Sequence, residues 1–129
     1  MATFMQRFGG QAHALLRIVA GFLFLWHGSQ KLLEYPTASG APDWIVYTAG
    51  PIELIGGTLI MIGLCTRWAA FIASGMAAVA YWLVHAKQGW LPIVNKGELV
   101  ALYCFVFLYI STQGAGIWSI DGMRGKRGG

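Results

Sequence analysis

Four apolar blocks, approximately residues 14–33, 44–64, 68–85 and 98–118, divide the chain, and each is long enough to carry a helix across a hydrocarbon layer about 30 Å thick. The stretches between them are polar. EYPTASGAPD has two prolines, a glycine and two acids, so it reads as a turn region. CTR is so short that the second and third spans must be antiparallel neighbours. AKQGWLPIVNK carries Lys87, Gly89, Pro92 and Lys96 and forms a third loop. The pattern predicts an all-α fold, a polytopic membrane four-helix bundle, as a single integral membrane domain over residues 1–129 in contact with the lipid bilayer.

The second span, WIVYTAGPIELIGGTLIMIGL, has Glu53 at its middle. Helix rise places this residue roughly 13 Å below one end. Insertion scales put an ionisable side chain at such depth at about 2.5 to 3.5 kcal/mol, so the carboxyl is expected to be protonated, paired or facing a cavity. Gly50, Gly56, Gly57 and Gly63 project within roughly 80° of it. Small residues in lipid mark close helix approach, so the Glu53 face is expected to meet other helices, with Pro51 nearly opposite.

The other spans also carry polar faces. Arg17, Ala20, Phe24, His27 and Lys31 share one side of the first, with Arg17 and Lys31 placed to snorkel toward headgroups. His27 and Glu53 lie at matched depths on adjacent antiparallel helices, where they are expected to share a proton. Ala70, Ser74, Ala77, Ala78, Tyr81 and His85 form a packing face on the third span. On the fourth, the face of Glu98 continues through Ala101, Leu102, Phe105, Tyr109, Thr112 and Gln113. Glu98 also suits a helix N-terminus.

Composition sharpens this picture: 57% of residues are hydrophobic and 11% charged, against about 25% charged in a soluble domain. Four spans use nearly the whole chain, so chemistry must occur within the bundle, at its mouths or on a partner. The net charge of +4 comes from scattered basic residues without a basic face, which excludes a nucleic-acid role. With alternating spans, Arg7, Arg17, Arg67, Arg124, Lys126 and Arg127 fall on one side and Lys31, Lys87 and Lys96 on the other. The positive-inside rule then predicts cytoplasmic N- and C-termini. Arg17 interrupts the first apolar run and no small-residue cleavage site follows closely, so the N-terminus is expected to lie at the inner headgroup boundary and not to be a secretory signal. The glycine-rich basic tail MRGKRGG is expected to be disordered and to touch anionic lipid.

Candidate chemistry concentrates in the outer half of the bundle. His27, Lys31, His85 and Glu98 form a funnel with Glu53 at its base, while Arg17, Thr112, Gln113 and Asp121 make a smaller inner group. Cys65 and Cys104 differ in depth by on the order of 15 Å, too far for a disulfide. No nucleotide loop, zinc spacing or nucleophile elbow is present, no metal is expected, and His27 and His85 differ too much in depth to hold a haem. A quinone needs hydrogen-bond donors and a proton acceptor beside apolar walls. His27, Lys31 and Glu53 supply these next to Phe24, with Glu53 and His27 as candidate catalytic groups and Lys31, Phe24, His85 and Glu98 as candidate cofactor contacts. Two other functions remain open: an assembly module whose polar residues set helix register, and a transporter of a proton or small solute that switches at Glu53.

The segments GFLFLWHGSQKL, GPIELIGGTLIMIGLCTRWAA, NKGELVALY and GAGIWSID, in this order and spacing, resemble the DoxX-like membrane proteins. The resemblance implies a four-helix bacterial inner-membrane protein. Some such proteins are subunits of quinone-linked sulfur oxidoreductases such as thiosulfate:quinone oxidoreductase, and others accompany detoxification or oxidative-stress proteins. Gly28, Lys31, Glu53, Gly57, Gly63, Arg67, Glu98, Gly114, Gly116 and Asp121 match the family pattern. It implies a membrane subunit working with a redox partner protein or with a second copy of itself.

Overall fold

The computed structural model describes residues 2–125, so Lys126 and Arg127 of the basic tail lie outside the described residues. The chain runs as α1 (Ala2–Gln6), α2 (Gly9–Leu32), α3 (Asp43–Ile62), α4 (Thr66–Ala80), α5 (Pro92–Asn95), α6 (Glu98–Gln113) and α7 (Ile120–Met123). A π-helical turn, Tyr81–His85, and a 3-10 turn, Ala86–Gln88, extend α4. Three helices, Gly9–Leu32, Asp43–Ile62 and Thr66–Gln88, are long and apolar enough to cross a membrane. The fourth, α6, has 16 residues, about 24 Å of rise, and is shorter than the 98–118 span predicted. It stops because Gly114 and Gly116 take positive φ (81° and 70°), and the carbonyls that follow are drawn to another partner described below.

Antiparallel α2 and α3 pack along their lengths, as do α4 and α6; α3 against α4 joins the two pairs. The α2–α3 contact is made through backbone. A Cβ on Gly21 would lie 2.7 Å from the Gly57 carbonyl oxygen, and one on Gly28 would lie 2.7 Å from that of Gly50. The glycines are spaced by seven on both helices, so each pair recurs after two turns on the same seam. Gly56, by contrast, takes no part in this seam: a Cβ there would meet nothing within 4 Å.

Both the core and much of the surface are apolar, unlike a soluble protein, whose surface is polar. Ala20, Ala69, Ala70, Ala73 and Ala77 are buried, together with Phe24, Ile60, Tyr103, Phe107 and Ile110. Leu15, Val19, Phe71, Ile72, Leu102 and Phe105 are exposed, as side chains facing acyl chains should be. The expected face of α4 packs inward through Ala70, Ser74 and Ala77. On α6 the Glu98 face turns outward, and Tyr103, Phe107 and Ile110 turn in. Phe24 meets both aromatic rings, with centroids 5.2 Å from Tyr103 and 4.8 Å from Phe107.

Arginines close the helix ends near the termini. Arg17 is fully buried. Its Nε donates to Ala115 O (2.9 Å), Nη1 to Ile60 O (3.0 Å) and Met61 O (2.9 Å), and Nη2 to Ile117 O (3.1 Å) and Trp118 O (2.7 Å). All five guanidinium donors are satisfied, so Arg17 does not snorkel as the sequence suggested. It gathers the negative end of α3 and residues 115–118 into one hub. Arg67 Nη1 caps α6 by donating to Ser111 O (3.0 Å) and Thr112 O (2.6 Å), while Thr112 and Gln113 themselves are exposed. Asp121 is buried and secures the α3–α4 turn: its N–H donates to Gly63 O (2.9 Å) and its Oδ2 accepts from the Thr66 N–H (3.3 Å).

Candidate functional site

A Cβ on Gly50 would lie 3.4 Å from Lys31 Cβ, so Lys31 stands near the level of Gly50, and Glu53 lies three residues deeper, about 4.5 Å by helix rise. Side-chain direction closes that gap. Helical side chains lean toward their own N-terminus, so on antiparallel helices Lys31 leans inward along α2 while Glu53 leans back along α3 toward the first loop. Lys31 Nζ reaches 2.7 Å from Glu53 Oε1, with the two side chains 13% and 9% exposed. The contact is a charge-assisted pair at hydrogen-bond distance. The Lys31 ammonium is thus committed to Glu53 and is not free to snorkel.

His27 lies near the level of Glu53, but the two share no hydrogen bond; the imidazole stands edge-on to Tyr103 with centroids 6.0 Å apart. A cavity of about 40 Å³ lies between α2, α3, α4 and α6, lined by Phe24, His27, Glu53, Met76, Val100 and Tyr103, with Ala77 and Ala80. Phe24 and His27 therefore gather around Glu53 as the sequence suggested.

His85 and Glu98 do not join them. His85 Nδ1 is 3.1 Å from Asn95 O, and Glu98 is exposed at the start of α6. Their end of the bundle is organised instead by fully buried Asn95, whose Nδ2 donates to Tyr81 Oη (3.1 Å) and Gly89 O (2.8 Å) and whose Oδ1 accepts from the Gly97 N–H (2.8 Å). The mouth above Glu53 is formed by the first loop. There a pocket of about 400 Å³ is lined by Gln30, Lys31, Glu34, Ser39, Asp43 and Tyr47, so Lys31 stands between that pocket and Glu53.

Asn95, Tyr103 and Gly21 are not singled out by the sequence pattern. Asn95 sits in a loop, and the inward turn of Tyr103 depends on the rotation of α6. The seven-residue spacing of Gly21 and Gly28, matched by Gly50 and Gly57, was a usable signal.

A hollow of about 460 Å³ is an apolar groove between α3 and α4 with no ionisable side chain in its lining. It shares Met76 and Ala80 with the small cavity. A 40 Å³ cavity is on the scale of one water, about 30 Å³, and well below the roughly 300 Å³ or more of a ring-sized ligand pocket. The groove falls within the range of ring-sized ligand pockets and the cavity falls below it. Among the described residues no group of three His, Cys, Asp or Glu side chains is arranged to hold a metal ion.

Apolar helices joined by glycine seams around a buried Lys–Glu pair define a small helical membrane protein with an ionisable centre. The chain belongs to the DoxX family, whose pattern matches residues 12–86, a stretch that includes Arg17, His27, Lys31 and Glu53. It is similar to an uncharacterized protein of Haemophilus influenzae, 44% identical over 116 residues, covering 84% of this chain and 87% of the relative. It is also similar to a Bacillus subtilis protein provisionally described as the oxidoreductase CatD, 27% identical over 123 residues and covering 89% and 90% of the two chains. An uncharacterized membrane protein of Mycobacterium tuberculosis is 29% identical over 134 residues, covering 87% of this chain and 80% of that one. No solved structure matches the chain.

Proposed function

We propose that this protein is the proton-handling membrane subunit of a quinone-linked oxidoreductase in a bacterial inner membrane, with electrons supplied by a partner protein. The observation that carries the reading is the buried Lys31–Glu53 pair, 2.7 Å apart, set between a polar pocket at the first loop and a cavity that borders an apolar groove. A quinone reduced by two electrons takes up two protons, and that is the chemistry such a cofactor would supply. Glu53 accepts a proton at its carboxylate, and Lys31 stabilises the ionised form between transfers. His27 is a second proton acceptor on the same cavity. Trp44, Ile52, Phe71 and Met76 would hold the ring in the groove, away from His85 and Glu98. The oxidoreductase description of the Bacillus subtilis relative supports a redox role.

Solvent extraction and mass spectrometry of the mildly purified complex test the reading. Stoichiometric quinone is expected, with quinone-dependent turnover reduced about 100-fold or more in Glu53→Gln. Wild-type complex without quinone, together with unchanged turnover in the variant, would overturn it. A second reading, an assembly module, is favoured by one observation: Lys31 and Glu53 tie together the two helices already joined by the glycine seam. In that case the charges serve register alone, and an apolar pair at both positions retains function.

A further inference from the structure

We propose that the small cavity beside Glu53 is a binding site for one structural water, held by the Tyr103 hydroxyl and shared with Glu53 and His27, and that this water links the two proton acceptors that the protein keeps apart. The site does not depend on a quinone.

Tyr103 is 5% exposed, and its Oη is buried with no protein hydrogen-bond partner. Buried hydroxyls are rarely left this way, because an unpaired one forfeits its hydration without replacement. Glu53, 7% exposed, borders the same cavity, and its carboxylate has acceptor sites beyond the one that meets Lys31. His27 borders it too and makes no hydrogen bond to protein among the described residues. The cavity, about 40 Å³, admits one water, and these three side chains supply the two to four polar partners that a buried water needs. The rest of its wall, Phe24, Met76, Ala77, Ala80 and Val100, offers no side-chain group that competes for it.

The expectation that His27 and Glu53 share a proton is thereby restored in altered form. Lys31 occupies the carboxylate from the loop side, and the water reaches it from the cavity side. The water accepts from Tyr103 Oη and donates to the Glu53 carboxylate. When Glu53 is protonated, its O–H donates to the water, which passes a proton on to an imidazole nitrogen of His27; no covalent or redox step is involved. Tyr103 acts through the water and is a positioning residue. The titratable groups that face Glu53 are Lys31 and His27 from α2 and Tyr103 from α6; α4 contributes only Met76, Ala77 and Ala80. Lys31 in the wall of the first-loop pocket gives this chain of groups an opening at one end of the bundle.

The test is infrared difference spectroscopy of the full chain in lipid bilayers across a pH step, in ordinary and oxygen-18 water. A water O–H band that shifts with the isotope is expected, accompanied by a carboxyl band that disappears in Glu53→Gln. Both Tyr103→Phe and Val100→Leu should abolish the water band, the first by removing its hydrogen-bond partner and the second by filling the cavity while Tyr103 stays in place. The melting temperature of Tyr103→Phe should fall. No isotope-sensitive band in the wild type, or a band unchanged in both variants, would overturn the proposal. So would a rise in the melting temperature of Tyr103→Phe, since removing a hydroxyl from a dry site relieves an unsatisfied group.

Discussion

Lys31, near the end of α2, and Glu53, at the middle of α3, lean toward each other from different depths until Nζ and Oε1 are 2.7 Å apart. Neither charge is stable alone in such surroundings. Removing one partner leaves the other buried and unpaired, so Lys31→Met and Glu53→Leu singly should each destabilise the protein by about 3 to 5 kcal/mol, while the double variant should be close to neutral. Unfolding in detergent micelles measures this coupling. If the pair handles protons, the double variant folds and loses function; if it only sets register, function survives with the fold.

Arg17 reaches five carbonyls, and a lysine offers three donors without the planar fork. Arg17→Lys should therefore cost about 3 kcal/mol or more and release residues 115–118 from α3. Hydrogen-exchange mass spectrometry should show faster exchange there and at the end of α3, with the centre of α4 unchanged.

The glycine seam predicts a contrast between neighbours. A methyl at Gly57 would come within 2.7 Å of the Leu25 backbone nitrogen, whereas one at Gly56 meets nothing within 4 Å. Gly57→Ala should cost about 1 to 3 kcal/mol through overpacking. Gly56→Ala should stabilise the helix by up to about 1 kcal/mol. Thermal unfolding of the two variants side by side checks it.

Asn95 holds three partners around the loop between α4 and α6. Asn95→Ala should cost about 1 to 3 kcal/mol by orphaning buried groups, and should raise the rate of trypsin cleavage at exposed Lys87 and Lys96.

Cys65 is exposed at the α3–α4 turn, on the side expected to be cytoplasmic. A membrane-impermeant maleimide should label it in inside-out vesicles and leave it unlabelled in intact spheroplasts. Labelling in spheroplasts would reverse the orientation predicted from the basic residues.

Composition and periodicity alone determined that this is an all-helical membrane protein and that Glu53 needs shelter, because burying charge in hydrocarbon is costly whatever the packing. The small-residue faces of α3 and α4 were legible for the same reason: only small side chains allow close helix approach without a solvent-driven core. The partner of Glu53 was not. His27 matches its depth, but lysine is longer and leans the right way, and side-chain reach counts only once the register is set. The rotation of α6, which turns Glu98 out and Tyr103 in, leaves little mark on a helix whose large apolar and aromatic residues are spread around its circumference. The sequence leaves the role of Arg17 open because a lone arginine near a span end looks the same whether it meets headgroups or carbonyls. Which of these it met was decided in three dimensions, where a chain turning back after Gly114 brought residues 115–118 within reach of its guanidinium.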